Sequence, residues 1–438
     1  MPGPPHALRT LPWLDGDGYY QDSAHARPQL PRLQGALRSE ACVVGAGITG
    51  LSAALELARC GVGVTLLEAR RIGAGASGRN GGQALADFAC GIEALERRLG
   101  ADAAARAWEL SCRGIERLRQ RIARHAICCD WDDGVLTLAR SAQQARRLYR
   151  ALQHRRTRYH AGELQWVEGG ELRAMVDSTR YCGAMLDPGA GHLHPLNYAL
   201  GLARAAQAAG VRMHEHSMAL RVQREPNAWM VHCTHGVVRC RLLLLATGAV
   251  PGAPVPRLQR RVLPVASCML ATEPLPRPVL HGVRAAHDSG PACDYYRLSA
   301  DGRLLFGTGA FFAGALLHDS ARRRAMLRRA MLRCFPQLDD VGITHEWGGW
   351  IDASANRAPD FGHLGPGAVY LQGFSGHGLA LSGLAGELGA RALRAGRGHC
   401  ADFELFARLR HASLPSQGVL RIPIGVLGAL WGRLLHTF

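Results

Sequence analysis

Gly45, Gly47 and Gly50 in "VVGAGITG" (43–50), with Glu68 placed 18 residues further on, form a set suited to a diphosphate and a ribose. Gly45 permits a tight turn and Gly47 lets a pyrophosphate approach the backbone. Gly50 lets the following helix pack closely, with its positive end toward the phosphates. The Glu68 carboxylate accepts hydrogen bonds from adenosine ribose hydroxyls and repels a 2′-phosphate, which disfavours NADP. A second glycine-rich stretch, "RRIGAGASGRNGGQ" (70–83), follows at once. Seven of its residues are Gly or Ala, interrupted by Ser77, Arg79, Asn80 and Gln83. Such a stretch builds no core. It lies flat against a large planar ligand, offering a pyrophosphate backbone N–H groups, Gly81 and Gly82 among them, and a ring edge polar side chains. A flexible surface linker is the competing reading, and these four polar residues are not a typical Gly/Ser linker mixture.

The elements that position these groups are legible around them. Residues 41–70 read as an apolar strand (Ala41–Val44), the glycine turn, a helix with Leu51, Ala54, Leu55 and Ala58 at helical spacing, and a buried strand "VTLLE" ending on Glu68. That strand–turn–helix–strand unit is the context the glycine motif requires. Later, "LLLLATGAV" (242–250) is an apolar strand with a glycine exit. "GFSGHGLALSGLAGEL" (373–388) places Gly373, Gly376 and Gly378 ahead of a helix of small residues. A helix N-terminus carries about half a positive charge and free N–H donors. Aimed at the edge of a redox ring, it stabilises the negative charge that reduction puts there. His377 lies in that turn and either touches the ligand or serves as a structural hydrogen bonder. The same two readings hold for Arg357, Asp352 and Asp360 in "WIDASANRAPDFG" (350–362), and Trp347 and Trp350 either wall a ring or fill a core.

The bulk composition bounds the rest. At 438 residues, with 47% apolar and 20% charged residues, the chain reads as a soluble protein of two lobes. Its net charge of +17 is carried by arginine alone, since all 52 basic residues are Arg. The missing lysine excludes a lysine Schiff base, a phosphate-loop lysine and a lysine general base. The charge raises the alternative of a nucleic-acid binder that also carries this dinucleotide. The arginines, however, are spread over helix faces such as "RRRAMLRRAMLR" (322–333), where Met326, Leu327, Ala330, Met331 and Cys334 form the apolar stripe. No nucleic-acid partner is therefore expected. Thirteen scattered cysteines without metal-ligand spacing fit reduced thiols, a cytoplasmic location and no metal site. No secretory signal or membrane-spanning run is expected. In the tail "IPIGVLGALWGRLLHTF" (422–438), Leu427, Leu430, Trp431, Leu434 and Leu435 share a helical face that docks on the protein or touches a membrane surface peripherally.

Taken with "GHLHPLNYALGLARAAQAAGV" (191–211), "LPVASCMLATEPL" (263–275), "DYYRLSADGRLLFG" (294–307), "WGGWIDASANRAPDFG" (347–362) and the tail "LRIPIGVLGALWGRL" (420–434), these motifs resemble the FAD-dependent D-amino-acid oxidase superfamily. Within it they are most similar to the gamma-glutamylputrescine oxidase-like amine oxidases. The resemblance covers nearly the whole chain. It implies an α/β fold, with a discontinuous FAD-binding Rossmann-type domain (36–127, 191–261, 346–400) and an interleaved mixed-sheet substrate domain (128–190, 262–345). An N-terminal extension (1–35) and an amphipathic C-terminal tail (401–438) flank them. It also implies that Val222 flanks the adenine through its backbone and that Gly248 lies near the adenosine half.

The chemistry implied is FAD-dependent oxidation of an amine. Flavin N5 takes a hydride from the amine-bearing carbon, and the imine hydrolyses to an aldehyde or oxo acid. O2 then reoxidises the flavin to give H2O2, or a quinone does so in a dehydrogenase. Some relatives place a lysine near N5; here the oxygen step rests on His377, Arg357 or the basic field. "IDASANRAPDFG" has no cysteine and "ASGRNGGQ" no histidine, so noncovalent FAD is expected. "LLFGTGAFFAG" (304–314) lacks the arginine expected after its first glycines. Tyr295, Tyr296, Arg297 and Met269 are the candidates to line the substrate lobe. Arg297 suits a substrate carboxylate, such as a glutamyl group, by a bidentate contact, with a surface ion pair as the alternative.

Overall fold

The computed structural model describes residues 18–249, 254–290, 293–311 and 319–413. The amphipathic face expected at 422–438 lies outside them. Two sheets organise these residues. The first runs β16 (Asp360–Gly365), β17 (Ala368–Gln372), β10 (Gly236–Leu245), β1 (Gly35–Val44), β2 (Val64–Leu67) and β7 (Arg212–His214). From β17 to β7 every neighbouring pair is parallel. β8 (Ala219–Glu225) and β9 (Ala228–Cys233) form a hairpin that continues antiparallel onto the first half of β10. Sequence explains where that sheet is buried. Ala41–Val44 and Leu242–Leu245 are apolar throughout, Val64–Leu67 is apolar but for Thr65, and all three are buried on both faces, one face packed on helices and the other on the β8–β9 hairpin. The first half of β1, "GALRSE", alternates and is largely exposed.

Helices α1 (Ile48–Arg59), α2 (Ala101–Arg124), α3 (Pro195–Ala208) and α4 (Leu379–Ala395) cover this sheet. α1 links β1 to the parallel β2 in the βαβ unit read from the glycine motif. Its contact with α4 is backbone to backbone: a Cβ on Gly386 would stand 2.3 Å from Thr49 O and 2.8 Å from Ala53 N. Arg121 of α2 is buried beside that contact. It donates to Ser52 Oγ (2.9 Å), Gly383 O (3.2 Å) and Glu387 Oε1 (2.8 Å), so one guanidinium ties three helices together.

The second sheet runs β15 (Ile343–Ser354), β11 (Val262–Pro274), β14 (Arg303–Phe311), β13 (Asp294–Leu298), β12 (Ala285–Asp288), β4 (Asp132–Ala139), β6 (Gly183–His192) and β3 (Gln83–Ala84), with β5 (Gln165–Val167) on β6. It is mixed: β12 and β4 pair in parallel and the other pairs are antiparallel. Its own core includes Leu327, Ala330, Met331 and Cys334 from the arginine-rich helix Ser320–Cys334, the stripe expected from sequence, with Met326 packed at its margin. The chain crosses between the sheets four times, from β2 to β3, from β6 to β7, from β10 to β11 and from β15 to β16. The second glycine-rich stretch leaves β2 and ends as β3, with Gln83 paired to His192. Residues 355–359 carry the chain from β15 to β16. The described residues thus form the α/β architecture of a Rossmann-type sheet with a mixed second sheet, and no helix among them is long and apolar enough to cross a membrane.

Because the Gly386 clash is with backbone atoms, a side-chain rearrangement does not relieve it. Gly386→Ala is expected to destabilise the FAD-loaded protein by about 3 kcal/mol, the upper end for overpacking, measured by urea denaturation.

Candidate active site

Between the sheets lies a cavity of about 500 Å³. Its walls come from the turns after β1, β2 and β10, from the second glycine-rich stretch, from β11, β13 and β15, and from the turn before α4.

At one end stands the glycine motif. Gly45 adopts φ +105°, and a Cβ there would lie 2.3 Å from Ala246 O. A Cβ on Gly50 would lie 1.8 Å from Gly45 O, so this glycine serves the packing of turn on helix and does not line the cavity. Gly47 lines it, 2.8 Å (from a Cβ) from Ser77 Oγ, which accepts the Ile48 N–H at 2.9 Å. The second stretch therefore caps the first helix. The remaining first-turn amides of α1 have no intrahelical acceptor and are left for an anion. Glu68 accepts from Ala46 N–H (2.8 Å) and Arg70 N–H (2.9 Å), one through each oxygen. Burial pushes its carboxyl above the usual range, opposed by those amides. Gly248, at φ +57°, borders the same end with open space where a Cβ would be. Val222 does not reach the cavity; it pairs with Val231 in the hairpin and packs on the outer core of the first sheet.

The second stretch lines the middle. Arg79 is buried and donates from Nε to Gly348 O (2.7 Å), while Trp347 Nε1 donates to Arg79 O (3.0 Å). Asn80 donates to Ala76 O (2.9 Å) and accepts from Gly82 N–H (2.8 Å). Gln83 donates to Ala286 O (2.9 Å) and pairs through Oε1 with His287 Nδ1 (3.1 Å). Arg79 and Gln83 thus fasten the stretch to the second sheet and Asn80 braces it internally, all three bordering the cavity. Gly81 borders it too, and a Cβ there would meet the Tyr295 ring at 2.8 Å. Gly82, at φ +77°, turns away from it against Leu193 O.

The turn before α4 closes the other end. Gly373 (φ +78°) donates to Asp352 Oδ2 at 2.7 Å and lies behind the lining, which Gly376 (φ +87°), His377 and Gly378 complete. Burial raises the Asp352 carboxyl to about 6, against amide hydrogen bonds that lower it. Burial depresses His377, whose Nε2 faces Ala86 O at 3.4 Å. Burial likewise lowers His287, also in the lining, to about 4. Trp350 and Ile351 are in the wall, whereas Trp347 packs edge-on to Tyr20 in the core. Asp360 is fully buried outside the lining, 3.1 Å from the Arg261 guanidinium and from the Tyr370 hydroxyl, which donates to it.

The expected substrate residues separate. Tyr295 lines the cavity, its hydroxyl 2.8 Å from Ser267 Oγ, with its ring in the space left by Gly81 and Gly307. Tyr296, one residue on, points to the opposite face and stacks on Phe306 at 5.7 Å. Met269 is 2% exposed in the main core and Arg297 is also 2% exposed; neither lines the cavity. Arg297 donates to Gly81 O (3.2 Å), Leu298 O (3.3 Å) and Tyr20 Oη (3.2 Å). Arg357 does line it. Ser267, His287, Ile351 and Cys293 also line it and carry no motif by which sequence would single them out; only the two-residue step Val265–Ser267 along β11 hints at a shared face.

Asp352 gives a pH signature. A carboxyl raised to about 6 binds its proton more tightly folded than unfolded, so its stabilising contribution is complete below about pH 4 and is lost as pH rises through 6. His287 has the opposite sign, stabilising above about 6.5 and losing that as pH falls through 4. Asp352→Asn keeps an acceptor for the Gly373 amide. The stability difference, variant minus parent, should therefore grow between pH 4 and 7 by up to about 3 kcal/mol, read from denaturation curves at each pH. A pH-independent difference would contradict this.

A family model described as FAD dependent oxidoreductase matches residues 40–392. The chain is 37% identical over 418 residues to gamma-glutamylputrescine oxidoreductase from Escherichia coli (strain K12), covering 94% of this chain and 96% of that one. It is 37% identical over 386 residues to the probable oxidoreductase OrdL of Haemophilus influenzae, covering 86% and 87% respectively. Among solved structures, glycine oxidase from Geobacillus kaustophilus shares the fold with a TM-score of 0.69 and 24% identity, over 86% of this chain and 100% of that one. L-proline dehydrogenase from P. horikoshii does so with a TM-score of 0.67 and 19% identity, over 85% and 96%. The glycine turns that leave room for a dinucleotide thus sit inside a match spanning most of the sequence, and the chain belongs to the FAD dependent oxidoreductase family, with FAD as its cofactor.

Proposed function

We propose that this enzyme oxidises the C–N bond of a primary or secondary amine, yielding an imine that water hydrolyses to an aldehyde or oxo acid. The observation that carries this reading is the character of the cavity end beyond the second glycine-rich stretch. There two histidines are held neutral by burial, beside Tyr295, Trp350 and Ile351. Bound FAD supplies the two-electron acceptor. Gly47, the α1 N-terminus, Ser77 and Glu68 would hold its nucleotide half noncovalently, and Gly376 and Gly378 at the α4 N-terminus would lie toward its ring system.

The protein's own contribution follows from these groups. The apolar wall excludes water, which favours an uncharged amine over an ammonium. The neutral His377 imidazole, whose protonated form burial disfavours, is able to hydrogen-bond the uncharged amine without adding a second charge. The positive end of α4 would stabilise negative charge that appears only on reduction, which is differential stabilisation. The similarity to the E. coli enzyme makes a gamma-glutamylated amine the first substrate to try, and O2 the first acceptor, with a quinone second. The thirteen cysteines are free thiols, which favours a reducing cytoplasm.

The test is an anaerobic panel of amines, including gamma-glutamylputrescine, plain diamines and amino acids, mixed with the FAD-loaded enzyme. At least one amine is expected to bleach the yellow absorbance, and admitting air should then return the colour with one peroxide per turnover. Colour returning only with a quinone would identify a dehydrogenase. No bleaching by any amine would remove the proposal.

A further inference from the structure

We propose that the Tyr295 hydroxyl, its proton held by Ser267, is the acceptor for an N–H of the substrate amine, so that the enzyme favours primary and secondary amines over tertiary ones. Ser267 is then a positioning residue. This rests on the amine-oxidising reading above and narrows the class of amine.

Ser267 is flanked by glycines. Its ladder neighbour on β15 is Gly349. On the other side, Ala266 pairs with Phe311 of β14 and Cys268 with Thr308, so residues 309 and 310 both stand opposite Ser267. This is a β-bulge, a device that re-aims a group out of the regular ladder. Gly309 occupies it at φ +60°, and Ser267 Oγ donates to its carbonyl oxygen at 3.3 Å. Tyr295 reaches the same point from β13. Its ring crosses β14 over its ladder partner Gly307, where a Cβ would stand 2.5 Å from the hydroxyl oxygen. A Cβ on Gly81 would also meet the ring, at 2.8 Å. So placed, the Tyr295 hydroxyl lies 2.8 Å from Ser267 Oγ, and both side chains border the cavity.

The direction of these two hydrogen bonds decides what the cavity meets. Each hydroxyl has one proton to give. Gly309 O only accepts, so Ser267 gives its proton there and Tyr295 gives its own to Ser267. The reverse order would leave the phenol proton without an acceptor among the described residues. Burial pushes the phenol above its ordinary value, so the hydroxyl is neutral. Tyr295 therefore offers the cavity oxygen lone pairs and no proton. An uncharged amine among apolar walls has N–H groups that need acceptors, and a neutral tertiary amine has none to give. His287, opposite Tyr295 in the ladder, does not compete for them. Gln83 spends its Nε2 on Ala286 O (2.9 Å) and Tyr296 O (3.2 Å), so its oxygen accepts from His287 Nδ1 (3.1 Å). The Thr137 hydroxyl, 3.2 Å away, occupies Nε2.

Two uncharged, redox-inert probes isolate the group at issue, since N-butylacetamide carries an N–H where butyl acetate has an oxygen. Their binding to the FAD-loaded enzyme is measured by calorimetry and by the perturbation of flavin absorbance. The parent should bind the amide about 3- to 10-fold more tightly than the ester, the range for a neutral hydrogen bond. Tyr295→Phe should abolish that preference. Ser267→Ala should abolish or reverse it, because the freed phenol proton then turns to the cavity, and Ser267→Thr should restore it. In the Tyr295→Phe background, Ser267→Ala should leave the ratio unchanged, whereas a Ser267 that served packing alone would weaken both probes alike in either background. Among amines that bleach the flavin, Tyr295→Phe should slow secondary ones about 3- to 10-fold and leave tertiary ones within about two-fold. No amide preference in the parent, or a preference that survives Tyr295→Phe or Ser267→Ala, would overturn the assignment. A preference that depends on both residues, with no amine bleaching the flavin, would instead reject the amine-oxidising reading and leave the acceptor standing.

Discussion

The hydrogen bond from Ile48 N–H to Ser77 Oγ joins the two glycine-rich segments, and the cavity depends on it. The first segment alone is a turn between a strand and a helix. The second begins at the end of β2, passes under the first helix, and ends hydrogen-bonded to β6 in the other sheet. Gly73 and Gly78 show how little room it has, since a Cβ on either would stand 2.9 Å from Leu196 Cδ1 of α3. Ser77 is thus held in place to cap α1, and Arg79 and Gln83 lock the segment on the far side. One stretch without a core of its own is clamped by two sheets that have cores, and the space beneath it is the binding site.

The sequence made the local parts of this arrangement legible and hid the long-range ones. Gly45, Gly47, Gly50 and Glu68 are adjacent to the strand and helix that place them, so spacing is enough. The Gly376–Gly378 turn is similarly readable because the small-residue helix follows directly. Tyr295 and Tyr296 look equivalent on the page, yet strand alternation sends one to the cavity and the other to the second core. Arg297 shares a strand face with Tyr295 but meets Gly81 O and Tyr20, so the loop and the N-terminal segment take its donors. His287 carried no signal, because the pairings of β12 with β4 and β13 that place it beside Gln83 span up to 150 residues. Local chemistry is encoded locally; which side chains remain free is settled by partners far along the chain.

The absence of lysine leaves a structural mark. Arg121 bonds three groups on two other helices, and Arg297 bonds three across a strand, a loop and the N-terminal segment. A planar fork with five donors satisfies several acceptors at once in fixed directions, which an ammonium on a flexible stem does not. Buried arginines therefore act here as struts between elements, and the excess positive charge of the surface comes from the same residue in a different role.

Because both sheets wall a single cavity, whatever fills it is coupled to the integrity of the whole polypeptide. A ligand bound by the native chain adds RT ln(1 + [L]/Kd) to its stability, and here that increment falls on both halves together. Flavin supply in the cell consequently acts as a folding effector. Without flavin the chain lacks that increment, so the empty protein is expected to open to proteases more readily than the loaded one.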